Sequence, residues 1–152
     1  EQLLNYEIVV FGSDPQTFEY VTNSELKNWK NFQILGKIPH EEVLKLMGKS
    51  LIYIGNSNSD GMPNTMLEAI FMGAFPIQSN PGGATAELIQ NGVNGLLIED
   101  CEDEEKIKEI VIHAVNNCNF EKAESLNQVE IVPKLHYLKV KNEVISIYKK
   151  LN

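Results

Sequence analysis

Five short apolar runs, each closed by a turn residue, restrict how this chain can fold more than any other feature. Ile8–Phe11 is closed by Gly12, Ser13, Asp14 and Pro15; Phe32–Leu35 by Gly36; Leu51–Ile54 by Gly55. Phe75–Gln78 and Gly95–Ile98 complete the set. Runs this short and apolar suit strands buried on both faces. Amphipathic stretches separate them, and strands alternating with helices build a parallel sheet through right-handed crossovers. The expected fold class is therefore α/β, a parallel sheet with helices on both faces.

The expected helices run Phe18–Trp29, Pro39–Gly48, Asn64–Met72 and Ala84–Asn91. A further helix carries Ile107, Ile110, Val111, Ala114 and Val115, the spacing of a helix laid on a sheet. Asp100 or Asp103 can cap it. A terminal helix is expected over Pro133–Leu151. The 152 residues suffice for one domain with a core, and no linker, repeat or low-complexity tract divides them.

Charge narrows the function. The formal net charge of -8 argues against binding along a nucleic-acid backbone. It leaves room for a small anionic ligand, which needs only a local positive field. The two cysteines, Cys101 and Cys118, lack metal-ligand spacing and read as reduced thiols. No metal site is expected. No apolar run reaches membrane-spanning length.

Parallel α/β sheets bind ligands outside the carboxyl ends of their strands. The loops after Phe11, Leu35, Ile54 and Gln78 are thus expected on one rim. The loop Gly55–Pro63 is long and polar for a strand-to-helix connection. Its Asp60 can accept hydrogen bonds from ligand hydroxyls, with Gly61 allowing close backbone approach, or it can be a solvated loop residue. The helix after Pro63 presents free N–H groups and a positive dipole end, where phosphate binds without a basic side chain. Asn64 and Thr65 are the expected amide donors, and their side chains can also cap. Glu68, one turn further in, either complements the dipole or grips a vicinal diol through its two oxygens. Pro81–Gly82–Gly83–Ala84 follows the fourth strand, and Glu87 opens the next helix. Gly12–Ser13 and Gly36–Lys37–Ile38 are weaker signals, Gly turns after strands without the dinucleotide fingerprint. The three histidines read as solvated or structural.

The run DGMPNTMLEA, with GAFPIQSN and GGATAELIQNGVNGLL, resembles the retaining nucleotide-sugar glycosyltransferases of the GT-B fold. These are group 1, glycogen-synthase-like enzymes that also build capsules and O-antigens. Two acidic residues separated by seven positions, a Gly-rich loop, another Glu and N-G-x-x-G-L-L carry the likeness. The resemblance covers most of the chain and implies a Rossmann-like C-terminal half of a GT-B protein.

Residue by residue, it implies that Glu68 holds the nucleotide ribose and Asp60 contacts the donor sugar, the two counted as catalytic. Gly61, Met62, Asn64 and Thr65 would meet the diphosphate and sugar. Gly36, Lys37 and Ile38 would lie beside the nucleobase, and Gly12 and Ser13 on the phosphate side. Asp60 departs from the usual Glu by one methylene. The insertion in GAFP moves the family's Gly pair onto Gly83–Ala84.

The family's N-terminal domain and its first βα unit, with an Arg and a Lys for the diphosphate, have no counterpart before Ile8. Glu1–Tyr6 is expected to be the tail of a crossover helix. A missing central strand would leave a slot in the sheet, with unpaired backbone groups. The terminal helix is expected to pack toward the absent domain and to expose Leu138, Ile145 and Tyr148.

The implied activity is transfer of a hexose or amino-hexose from a nucleotide diphosphate sugar to an acceptor hydroxyl, in cell-surface polysaccharide or glycoconjugate synthesis. No cofactor is implied beyond the donor itself. The partners would be the donor, the acceptor and the N-terminal GT-B domain, without which this piece is expected to be inactive. The implied location is cytoplasmic, with membrane contact made only through the absent domain. The alternative is a non-catalytic nucleotide-sugar-binding module.

Overall fold

The computed structural model describes residues 3–150, which form an α/β protein with parallel strands. The chain divides into two compact units, Glu1–Leu46 and Met47–Asn152.

In the first unit, β1 (Ile8–Val10) pairs in parallel with β2 (Phe32–Ile34), in the register Ile8 to Phe32. Between them runs α1 (Pro15–Asn23). Asp14 caps it by accepting the Thr17 N–H at 2.8 Å, and Pro15 occupies the first turn, where its missing N–H costs nothing. The expected helix Phe18–Trp29 is corrected on both ends. At Ser24 the backbone turns extended, and the Ser24 hydroxyl accepts the Leu26 N–H at 3.2 Å. A separate 3-10 turn, Glu25–Asn28, follows. Residues 3–6 form a turn, closed by Tyr6 N–H to the Leu3 carbonyl at 3.1 Å; Glu1 and Gln2 of the expected helix tail lie outside the described residues. The helix α2 (His40–Met47) carries Glu41 and Glu42 in its first turn.

The second unit holds a three-stranded parallel sheet, β3 (Ile52–Gly55), β4 (Phe75–Ser79) and β5 (Leu96–Ile98), with β4 central. Every residue of β4 is buried. Two apolar cores form in this unit. Phe75 and Ile77 pack with Leu96 and Ile98 beneath Ile107, Ile110 and Val111 of α4 (Glu104–Asn117) and Ala123 of α5 (Phe120–Leu126). On the other face, Met66 and Ile70 of α3 (Asn64–Phe71) meet Leu97, Ile89 and Ile131. Apolar side chains on both faces explain why the strands read as unbroken apolar runs. Asp103, not Asp100, caps α4 by accepting the Lys106 N–H at 3.0 Å.

Two expected helices change form. Over 84–91 only a 3-10 turn, Thr85–Glu87, appears. The buried side chain of Asn94 accepts the Gln90 N–H at 2.7 Å and donates to the Leu88 carbonyl at 3.0 Å, replacing the helical partners of those groups. The terminal stretch breaks at His136, whose ψ is 125°, giving α6 (Val132–Leu135) and α7 (Tyr137–Lys150). A π-helical segment, Asn127–Ile131, leads into α6. Leu151 and Asn152 lie outside the described residues.

Among the described residues no strand joins the two sheets, and no helix is long and apolar enough to cross a membrane. As expected from the terminal stretch, Leu138, Ile145 and Tyr148 are exposed.

Candidate functional site

The loop between β3 and α3 is shaped by serine hydroxyls. Ser79, at the end of β4, accepts the Ser57 N–H and donates to the Ser57 carbonyl, both at 2.8 Å. The Ser57 hydroxyl in turn accepts the N–H groups of Ser59 and Asp60, each at 3.3 Å. Asn56 is tied to the Cys101 carbonyl at 2.9 Å. Asp60 is therefore an exposed carboxylate on a backbone anchored to the central strand.

Thr85 completes the anchoring. It is fully buried, and its hydroxyl lies 3.0 Å from the Ser79 carbonyl and 3.2 Å from the Gly61 carbonyl. It joins the loop after β4 to the loop after β3. The sequence pattern singled out Gly82, Gly83 and Glu87 around this point and passed over Thr85. Gly83 does take a positive φ, +79°.

Pro63 occupies the cap position of α3, and no side chain caps the helix. This corrects the capping role allowed to Asn64 and Thr65. The Thr65 hydroxyl turns instead to the Tyr53 hydroxyl, 2.9 Å away. The Met66 N–H bonds the Pro63 carbonyl at 3.1 Å, which leaves the Asn64 and Thr65 N–H groups and the positive dipole end available to an anion. Met62 and Glu68 are half-buried; Asn64 and Thr65 are exposed.

The electrostatics of Tyr53 bind this group together. Burial pushes its phenol above the ordinary value of 10.0, the hydrogen bond to Thr65 opposes that rise, and the Asp60 and Glu68 carboxylates add to it. Both carboxylates thus lie within electrostatic reach of one phenol at the start of α3.

The first unit brings its own candidates together. The Gly12 N–H donates to the Gly36 carbonyl at 3.1 Å, and the Ser13 N–H to the Leu35 carbonyl at 3.2 Å. The loops after β1 and β2 are thereby joined, with Lys37 exposed and Ile38 half-buried beside them. The Ser13 hydroxyl is buried without a hydrogen-bond partner.

Two depressions of the second unit lie elsewhere. One of about 560 Å³ sits against α4, lined by Leu96, Lys106, Ile110 and His113. Another of about 250 Å³ is lined by Lys49, Ser50, Phe120 and Glu124. Asp60, Thr65 and Glu68 line neither. Among the described residues no group of three or more His, Cys, Asp or Glu is placed to hold a metal ion.

Residues 1–129 match the sequence model of the glycosyl transferases group 1 family. An uncharacterised glycosyltransferase of Methanocaldococcus jannaschii is 27% identical over 146 residues, covering 95% of this chain and 36% of that protein. Two solved structures share the fold. Anabaena HepE, in complex with UDP-glucose, superposes with a TM-score of 0.76 at 14% identity, over 98% of this chain and 43% of its own. The pneumococcal O-GlcNAc transferase GtfA, in complex with UDP and GlcNAc, gives 0.64 at 19% identity, over 94% and 28%. The chain spans about a third of the length of the archaeal relative.

Proposed function

Given that this chain belongs to the glycosyl transferases group 1 family, we propose that it is the donor-binding part of a retaining GT-B glycosyltransferase. The 152 residues would act as one donor domain, moving a hexose or amino-hexose from a nucleotide diphosphate sugar to an acceptor hydroxyl. The proposed setting is cell-surface polysaccharide or glycoconjugate synthesis in the cytoplasm, with an N-terminal GT-B domain supplying the acceptor side. Without that domain the piece would not turn over.

The observation that carries this reading is the uncapped start of α3 flanked by Asp60 and Glu68 around Tyr53. The N–H groups and the helix dipole would receive the diphosphate. As the bond from the anomeric carbon to the diphosphate breaks, negative charge grows on the departing phosphate oxygens, and the same dipole stabilises it. The anomeric carbon bonds to the acceptor oxygen, whose proton passes to the departing diphosphate oxygen.

Glu68 would grip the two ribose hydroxyls and Asp60 the sugar. Gly61, Met62, Asn64 and Thr65 would form the wall between them. The loop pair of the first unit, Gly12 and Ser13 with Gly36, Lys37 and Ile38, is assigned by family resemblance alone to the phosphate side and the nucleobase. The nucleotides bound by HepE and GtfA support a UDP-sugar as the first donor to try.

Calorimetry with UDP on the full-length protein tests the assignment. Glu68→Ala is expected to weaken binding more than Asp60→Ala. Unchanged affinity in Glu68→Ala removes the ribose role. Sugar transfer by the same protein separates an enzyme from a non-catalytic binding module.

A further inference from the structure

Beneath the start of α3, strand β3 ends in an unusual polar cluster. Tyr53 and Gly55 point to the same sheet face, because strand side chains alternate. Gly55 pairs in register with Gln78 of β4, which places Gln78 on that face as well. Gln78 is 1% exposed, and its Oε1 has no hydrogen-bond partner, while its Nε2 donates to the Ser79 hydroxyl at 3.1 Å. A Cβ at position 55 would collide with Gln78 Oε1 and come within 2.7 Å of the Tyr53 hydroxyl. Two polar groups therefore close over one glycine, and one of them, the Tyr53 hydroxyl, meets Thr65.

Packing does not explain the phenol. The Tyr53 ring lies against the core of Met66, Ile70 and Leu97, a contact that Phe would make equally well. What the hydroxyl adds is its 2.9 Å bond to the Thr65 hydroxyl. A Thr in the first turn of a helix otherwise tends to turn its hydroxyl onto nearby backbone groups. Held by Tyr53, the Thr65 side chain is kept off the N–H groups at the start of α3. The unpartnered Gln78 oxygen, buried beside the same glycine, adds an acceptor to this polar cluster.

We propose that Tyr53 is a positioning residue for the donor: its hydroxyl holds Thr65 so that the first two N–H groups of α3, those of Asn64 and Thr65, stay open to the diphosphate. This rests on the donor-site reading above. Tyr53 touches no ligand itself; it acts through Thr65.

The test uses the full-length protein with UDP and UDP-glucose as probes. Tyr53→Phe keeps the ring and removes one hydrogen bond, so the dissociation constant for UDP should rise about five- to tenfold. KM for the donor should rise with it while kcat and Tm stay near those of the wild type. Thr65→Val should give a similar loss, and the double variant no more than either single, since both remove the same bond. Unchanged UDP affinity in Tyr53→Phe, or losses that multiply in the double variant, would overturn the proposal. If the wild-type protein binds neither probe, the donor-site reading itself fails, and the role of Tyr53 falls with it.

Discussion

Asn94 and Asn127 exchange hydrogen bonds inside the second unit: Asn94 Nδ2 donates to Asn127 Oδ1 at 2.8 Å, and Asn127 Nδ2 returns a bond to the Asn94 carbonyl at 3.0 Å. Both side chains are buried, at 0% and 2% exposure. The pair ties the π-helical segment to the turn before β5. Neither group meets water, so removing one partner leaves the other unsatisfied rather than resolvated.

Asn127→Ala should therefore destabilise the protein by about 2–4 kcal/mol, more than an exposed polar residue would, because two buried groups lose partners at once. Urea unfolding monitored by circular dichroism measures this. A loss within the scatter of surface substitutions would show that the pair contributes little.

Gly95 offers a second test, and it explains a residue that the family pattern only marked. A Cβ there would come within 2.8 Å of the Pro76 carbonyl, which belongs to the central strand and cannot rotate away. At Gly55 the atoms in the way are the ends of two side chains, Gln78 and Tyr53. Gly95→Ala should cost about 1–3 kcal/mol or more, and Gly55→Ala less, since side chains yield more readily than backbone. Parallel thermal unfolding of the two variants gives the order. The reverse order would mean that buried Gln78 is the more rigid obstacle.

The cap of α4 makes stability depend on pH. The Lys106 N–H, and then its ammonium, bond to the Asp103 carboxylate and hold it below its ordinary value of 3.8. A carboxylate with a lowered folded value stabilises the protein above its ordinary value, and that contribution is lost as the pH falls through the lowered one. Asp103→Ala should therefore lower Tm at neutral pH, with the gap from the wild type closing only in acid below that ordinary value. A gap that stays constant across the acid range would separate the cap from the carboxylate charge.

How much of this was legible in the chain follows from where each signal is stored. The five strands lie within one residue of the apolar runs at each end, because burial on both faces writes itself into composition. The α4 helix was legible from its spacing, and its ambiguous cap was settled by geometry. Thr85–Glu87 was not, since the competitor for its helical bonds, Asn94, acts from the next turn of chain. Residues 120–131 drew no expectation because α5 and the π-helical segment answer to distant partners, such as Asn94 and the Phe71 carbonyl reached by Gln128. In the site, Asp60 and Glu68 stood out by their spacing. Tyr53 sat inside an apolar run and Thr85 inside a Gly-rich loop. Their roles exist only once β3, β4 and α3 are stacked.

No residue of α7 is buried, though Leu138, Val144, Ile145 and Tyr148 give it an apolar side. A helix of 14 residues is marginal in water by itself, and most helical stability in proteins comes from packing. The coil-to-helix balance of this segment is thus set by what covers it. Slow amide exchange along 137–150 becomes a gauge of occupancy: protection reports a covered face, and fast exchange a bare one.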